Sequence, residues 1–177
     1  LVAGALRLTA DLITGGDGHD VLDIGDSSAV TIDMSAGTVT GGSISGATFS
    51  GIEEIWSGAG NDTIDVGNGN DVLVYNASGF GADIVTNFDA AGGTPATQDL
   101  INLSALGVTA GNFASRIVIQ DIEDGATDDT LITVNDGGAN TLGTIRIECN
   151  QPLQIRQRIE QHMRFDLCLQ HLQLALY

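Results

Sequence analysis

Residues 57–74 read SGAGNDTID followed at once by VGNGNDVLV, two nonapeptides in perfect tandem. Gly58, Gly60 and Asp62 of the first are answered by Gly67, Gly69 and Asp71 of the second. Each unit has a short glycine loop, an Asp at its sixth place and an apolar residue two places later, Ile64 or Leu73. Glycine accepts positive φ and close backbone approach, so Gly-x-Gly can turn several carbonyl oxygens to one side of a tight loop. The Asp adds a carboxylate to that side. Carbonyls with a carboxylate form an oxygen cage suited to calcium, which takes six to eight such ligands in flexible geometry. The residues after the Asp alternate as in a strand, which predicts Ile64 and Leu73 inside and Thr63, Asp65, Val72 and Val74 facing the other way.

The same frame recurs. Residues 15–23 read GGDGHDVLD, placing Gly16, Gly18 and Asp20, and satisfy the G-G-x-G-x-D-x-U-x nonapeptide of calcium-binding parallel β-helices. Residues 78–86 read SGFGADIVT, with Gly79, Gly81, Asp83 and Val85 in place after a three-residue insertion, Tyr75 to Ala77. Residues 6–14 keep Asp11 and Ile13 without glycines, and residues 24–32 keep Gly25 and Ile32 without an Asp at the sixth place.

With four good copies, the chain resembles the RTX (repeats-in-toxin) family of secreted bacterial proteins. The resemblance implies an all-β fold, a right-handed parallel β-roll with two nonapeptides per turn and calcium between loops stacked along each edge. It implies ligands from Gly16, Gly18, Asp20, Gly58, Gly60, Asp62, Gly67, Gly69, Asp71, Gly79, Gly81 and Asp83. Loop 57–62 should then face loop 78–83, and loop 66–71 needs a different neighbour, without which its site is half built.

Charge agrees with a cation requirement. Lysine is absent, six arginines face 23 acidic residues, and the formal charge is -17. So acidic a chain argues against nucleic acid and anionic membranes as partners. Of the acids 18 are Asp, four of them at one position of a repeated loop, which a merely solvated acidic surface does not explain. Two carboxylates about 4 Å apart repel by roughly 4 kcal/mol at an effective dielectric near 20, a large part of a small domain's stability. Without metal the roll is expected to be loose or unfolded.

Three segments are expected. Residues 1–89 form the calcium-binding roll, beginning without Met, basic segment or apolar run, so neither a signal peptide nor a membrane span is read there. Within them, Ser27 to Ile55 lacks good loops and alternates through Val30, Ile32, Met34, Val39, Ile44 and Phe49 as short strands, which in RTX proteins continue the solenoid without metal. Adjacent Glu53 and Glu54 point to opposite faces and are read as structural rather than as a glycosidase pair. Residues 90–148 resemble the β-rich RTX cap, with strands at Leu100 to Leu103, Arg116 to Ile122, Thr130 to Val134 and Thr141 to Glu148, a turn or short helix begun by Ser104, and a hairpin at NDGGAN. Asp128 and Asp129 read as solvated turn residues, with another cation site as the alternative. Residues 149–177 are atypical: glycine is absent, Cys149 and Cys168 appear, Ile155, Ile159 and Met163 recur at helical spacing, and Leu172, Leu174 and Leu176 alternate as in a strand. The position suits a secretion signal; the composition equally suits a partner-binding segment.

Catalytic constellations do not emerge. GSISG has Ile44 where a nucleophile elbow needs Ser, no H-E-x-x-H occurs, and a P-loop needs the missing lysine. His19 reads as an exposed loop residue, Phe80 and Trp56 as core or cap. The resemblance implies a noncatalytic, calcium-dependent folding module at the C-terminal end of a secreted bacterial protein, handled by type I secretion machinery and active outside the cell or at its surface. The alternative is the tail of a larger RTX metalloprotease, lipase or peroxidase, or of an adhesin or surface-layer protein, with any catalytic domain upstream of Leu1.

Overall fold

A computed structural model describes residues 12–89, 99–123, 128–148 and 174–175. Its strands are β1 (Leu12–Thr14), β2 (Val21–Asp26), β3 (Val30–Asp33), β4 (Thr38–Gly41), β5 (Thr48–Ser50), β6 (Glu54–Gly58), β7 (Thr63–Asp65), β8 (Val72–Val74), β9 (Gly81–Thr86), β10 (Leu100–Asn102), β11 (Ile117–Glu123), β12 (Asp128–Asn135), β13 (Thr141–Ile147) and β14 (Leu174–Ala175). Among the described residues a 3-10 turn at Ser104–Leu106 and one helical turn, α1 (Phe113–Arg116), complete the elements. The fold is all-β. One sheet has nine strands in the order β1-β5-β4-β3-β7-β9-β13-β12-β11, the other five in the order β14-β10-β8-β6-β2.

The nonapeptide period explains this arrangement. Each repeat supplies one strand of about three residues and then a turn, so consecutive strands cannot pair as a hairpin and pass instead to opposite sheets. From β6 to β10 the chain alternates between the five-stranded and the nine-stranded sheet, and strands two apart pair in parallel: β6 with β8, β7 with β9, β8 with β10. Parallel pairing in strict register stacks like on like. Leu22, Ile55, Leu73 and Ile101 form one buried column, and Ile32, Ile64, Val85 and Ile147 form its counterpart in the other sheet. Both columns belong to one apolar core.

Three expectations need correction. Val74, expected on the outer face, is buried, outside the main core cluster. Ile44, expected in a strand, is buried within a turn. The segment between the first and second full repeats contributes β3, β4 and β5, which run antiparallel to one another, β5 then pairing in parallel with β1. The turns at Ser-Ala-Gly and Gly-Gly-Ser reverse the chain within one sheet, because no Asp-led loop carries it across to the other.

After β10 the regime changes from parallel to antiparallel. β11, β12 and β13 form a meander whose last strand adds in parallel to β9. The NDGGAN turn closes β12 onto β13 through Asp136, whose Oδ1 accepts the Gly138 N–H at 2.6 Å, with Gly137 at φ 87°. The four strands expected past residue 99 appear with ends moved by one or two residues. Asp128 and Asp129, expected in a turn, begin β12 instead. Asp129 is fully buried, and its Oδ2 accepts from Nε of Arg146 at 2.8 Å and from Nη2. That ion pair is a structural fixture of the meander. Of the tail, only β14 is described, paired in parallel with β10; its cysteines and its helical spacing lie outside the described residues. Among the described residues no helix is long and apolar enough to cross a membrane.

The columns predict a contrast in stability. Leu73→Ala, in the centre of the five-stranded column, should lower the unfolding free energy by about 2–5 kcal/mol. Leu12→Ala, on a side chain 74% exposed, should change it by no more than about 0.5 kcal/mol in a denaturant titration.

Candidate metal centre

Two residues before each buried aliphatic lies the position that the repeat gives to Asp. The strict register therefore stacks these positions into two rows, one along each edge where the chain passes between sheets. Along the edge leading into the nine-stranded sheet the row is Val30, Asp62, Asp83 and Ile145; along the other it is Asp20, Glu53, Asp71 and Asp99.

A repeated bond links two neighbouring pairs in each row. The Asp62 N–H donates to Oδ1 of Asp83 at 2.8 Å, and the Val30 N–H to Oδ1 of Asp62 at 3.0 Å. On the opposite edge the Asp20 N–H donates to Oε2 of Glu53 at 3.0 Å, and the Asp71 N–H to Oδ1 of Asp99 at 2.9 Å. Each carboxylate thus holds the preceding turn by its backbone. Around them the loops touch: the Ala82 N–H donates to Oδ1 of Asn61 at 2.9 Å, and the Ile84 N–H to the Asp62 carbonyl at 2.8 Å. Loop 57–62 does face loop 78–83.

The glycines make this approach feasible. Gly16, Gly18, Gly58, Gly60, Gly67, Gly69, Gly79 and Gly81 all have positive φ, from 76° to 144°. At Gly81 the requirement is absolute, since a Cβ there would stand 1.6 Å from the Gly60 carbonyl oxygen. That carbonyl accordingly points into the next loop. Loop 66–71, whose neighbour the sequence left open, lies against Ser35 on one side, and with Asn87 and Asp89 lines a cavity of about 500 Å³. Asp71 in the same loop is tied to Asp99.

Four of these carboxylates have an oxygen with no partner. Oδ2 of Asp20, Asp62, Asp71 and Asp83 is buried in each case with no hydrogen-bond partner, although Asp62 and Asp83 are each 1% exposed and Asp71 8%. Burial, followed by the charges of Asp99 and Glu53, pushes Asp71 up to about 7. Burial likewise pushes Asp83 up to about 7, with the Asp62 N–H opposing and the Asp62 charge reinforcing the shift. Asp62 and Asp99 are raised for the same first cause. By contrast Asp26, half-buried and bonded by the Ser28 and Ser43 N–H groups, is held far below the ordinary carboxylate range. A buried anion with one free oxygen is a ligand in need of a cation.

The donor set fits calcium. Every candidate donor is an oxygen, which suits a hard cation and not zinc or copper. Among the described residues no three His, Cys, Asp or Glu side chains converge on a point. A bound ion would therefore draw one or two carboxylates from the row and complete its shell with loop carbonyls. The structure brings Asp62 together with Asp83, and Asp71 together with Asp99, while Asp20 is separated from Asp71 by Glu53.

Glu53 and Asp99 were missed as site residues. Neither follows a Gly-x-Gly loop, yet each stands two places before a buried isoleucine, Ile55 or Ile101, and that spacing was the usable signal. Glu54 does point away from Glu53: its carboxylate meets the exposed His19 ring at 2.8 Å and the Trp56 indole N–H. Phe80 is wholly buried.

No protein-family model matches the chain, and no curated protein matches it.

A pH dependence follows for the metal-free chain. An acid whose folded pKa is raised stabilises the fold while neutral, so the contribution of Asp71 and Asp83 is full below about pH 4 and is lost as pH rises through about 7. In the presence of chelator the β content seen by circular dichroism should be greater at pH 5 than at pH 8, and the double variant Asp71→Asn, Asp83→Asn should reduce that difference.

Proposed function

We propose that the chain is a calcium-dependent folding module of the RTX type, its two sheets forming a right-handed β-roll in which calcium ions sit between the stacked glycine loops. The observation that carries this reading is the pair of facing loops at 57–62 and 78–83, with Asp62 and Asp83 buried and each left with one unpartnered oxygen. Strand alternation between two sheets, the parallel register and the positive φ of the eight Gly-x-Gly glycines support it. On this reading residues 1–89 form the roll and residues 90–148 cap it, with Asp99 extending the carboxylate row into the cap segment.

The function proposed is a folding switch. In a calcium-poor cytosol the buried carboxylates would keep the roll open, allowing passage through type I secretion machinery; outside, calcium would close it. A site with a dissociation constant of about 100 µM in about 1 mM calcium contributes roughly 1.4 kcal/mol, and three such sites about 4 kcal/mol, which flips a marginal domain. The chain would serve as the C-terminal, noncatalytic part of a secreted or surface-exposed bacterial protein.

The experiment is circular dichroism of the chain in chelator and during titration with calcium chloride. The expected outcome is a disordered spectrum that becomes β-rich at submillimolar to millimolar calcium, with the midpoint moved to higher calcium by Asp62→Asn or Asp83→Asn. A β spectrum insensitive to chelator removes the switch.

A further inference from the structure

Tyr75 lies in the three-residue insertion between the third and fourth good repeats, a place the nonapeptide does not specify. It is 3% exposed, its hydroxyl has no hydrogen-bond partner, and the charges of Asp83 and Asp62 both act on it. The phenol comes near enough to Asp83 to favour the carboxylate's charged form, without hydrogen-bonding geometry. Three buried oxygens, Oη of Tyr75 and Oδ2 of Asp62 and Asp83, are thus left open on groups that act on one another, with Asp62 and Asp83 also bonded through the Asp62 N–H. A phenol is both donor and acceptor, and a carboxylate oxygen has lone pairs to spare, so Asp83 can accept from Tyr75 and still face an ion.

The ring is firmly held. The Tyr75 N–H donates to the Asn102 carbonyl at 3.0 Å, and the ring centroid lies 4.5 Å from that of Phe80. Phe80 is pinned in turn, because a Cβ on Gly143 would stand 2.5 Å from its ring. An aromatic needed only for packing would do as well without its hydroxyl, and burying that hydroxyl unpaired is unfavourable.

We propose that Tyr75 is a positioning residue of the cation site between loops 57–62 and 78–83, its hydroxyl donating to Oδ2 of Asp83 in the ion-bound state and so fixing the direction in which that carboxylate faces the ion. The inference rests on the calcium reading given above. It makes the insertion part of the site.

The test uses the full chain carrying Tyr177→Phe, which leaves Tyr75 as the sole tyrosine. Calcium chloride is titrated in by calorimetry and by ultraviolet difference spectroscopy. Calcium should perturb the tyrosine absorption band, Asp83→Asn should abolish the perturbation, and Tyr75→Phe should weaken calcium affinity about tenfold, the size expected of a hydrogen bond to a charged group. Equal affinity with and without the Tyr75→Phe substitution, or an unperturbed tyrosine band while calcium still binds, overturns the inference and leaves the calcium reading standing. So does a Tyr75→Phe chain that gains no β spectrum in saturating calcium, since the hydroxyl's proposed action leaves packing intact. A starting chain that binds no calcium overturns both.

Discussion

The bond from a backbone N–H to the carboxylate of the next turn is the interaction on which this architecture depends. It joins Val30 to Asp62 and Asp62 to Asp83 on one edge, Asp20 to Glu53 and Asp71 to Asp99 on the other. A strand of three residues makes too few ladder bonds to fix its own register. The carboxylate fixes it from the end of the strand, and once it does, the aliphatic two residues later has one place to go. The buried columns of Leu22, Ile55, Leu73 and Ile101, and of Ile32, Ile64, Val85 and Ile147, follow from that.

The same device builds in an electrostatic conflict. Asp62 and Asp83 each accept one backbone bond, are sealed from water and keep a second oxygen without a partner, and burial then opposes their ionisation. Protons and a divalent cation can each relieve this, by neutralising the charge or by coordinating it. On the proposed reading the cation does so where it is plentiful, and the fold carries a dependence on its surroundings that an apolar core of this size would not need. Val30 and Ile145 occupy the two outer places of one row, so the carboxylates of that edge are confined to its middle.

Much of this was legible in the residues. Gly-x-Gly before Asp, with an aliphatic two places on, located the turns and the inward residues, while the facing of loop 57–62 by loop 78–83 came from the resemblance to RTX repeats. Glu53 and Asp99 escaped because the loops before them lack the glycines, and only the spacing to Ile55 and Ile101 marks them. Asp129 was misjudged because a pair of Asp residues between polar neighbours resembles a turn; its partner Arg146 is 17 positions away, and such a pairing is invisible until β12 and β13 are aligned. The antiparallel β3–β5 excursion was likewise hidden, since alternation along a strand does not say which neighbour the strand will choose. Tyr75 lies in an insertion, where the repeat is silent.

The most direct measurement is long-wavelength anomalous diffraction from crystals of the chain grown in calcium. The account predicts a calcium peak between loops 57–62 and 78–83, with oxygen ligands from Asp62 or Asp83 at about 2.3–2.6 Å. Refined loops in the positions described here, with no anomalous peak between them at saturating calcium, would contradict it.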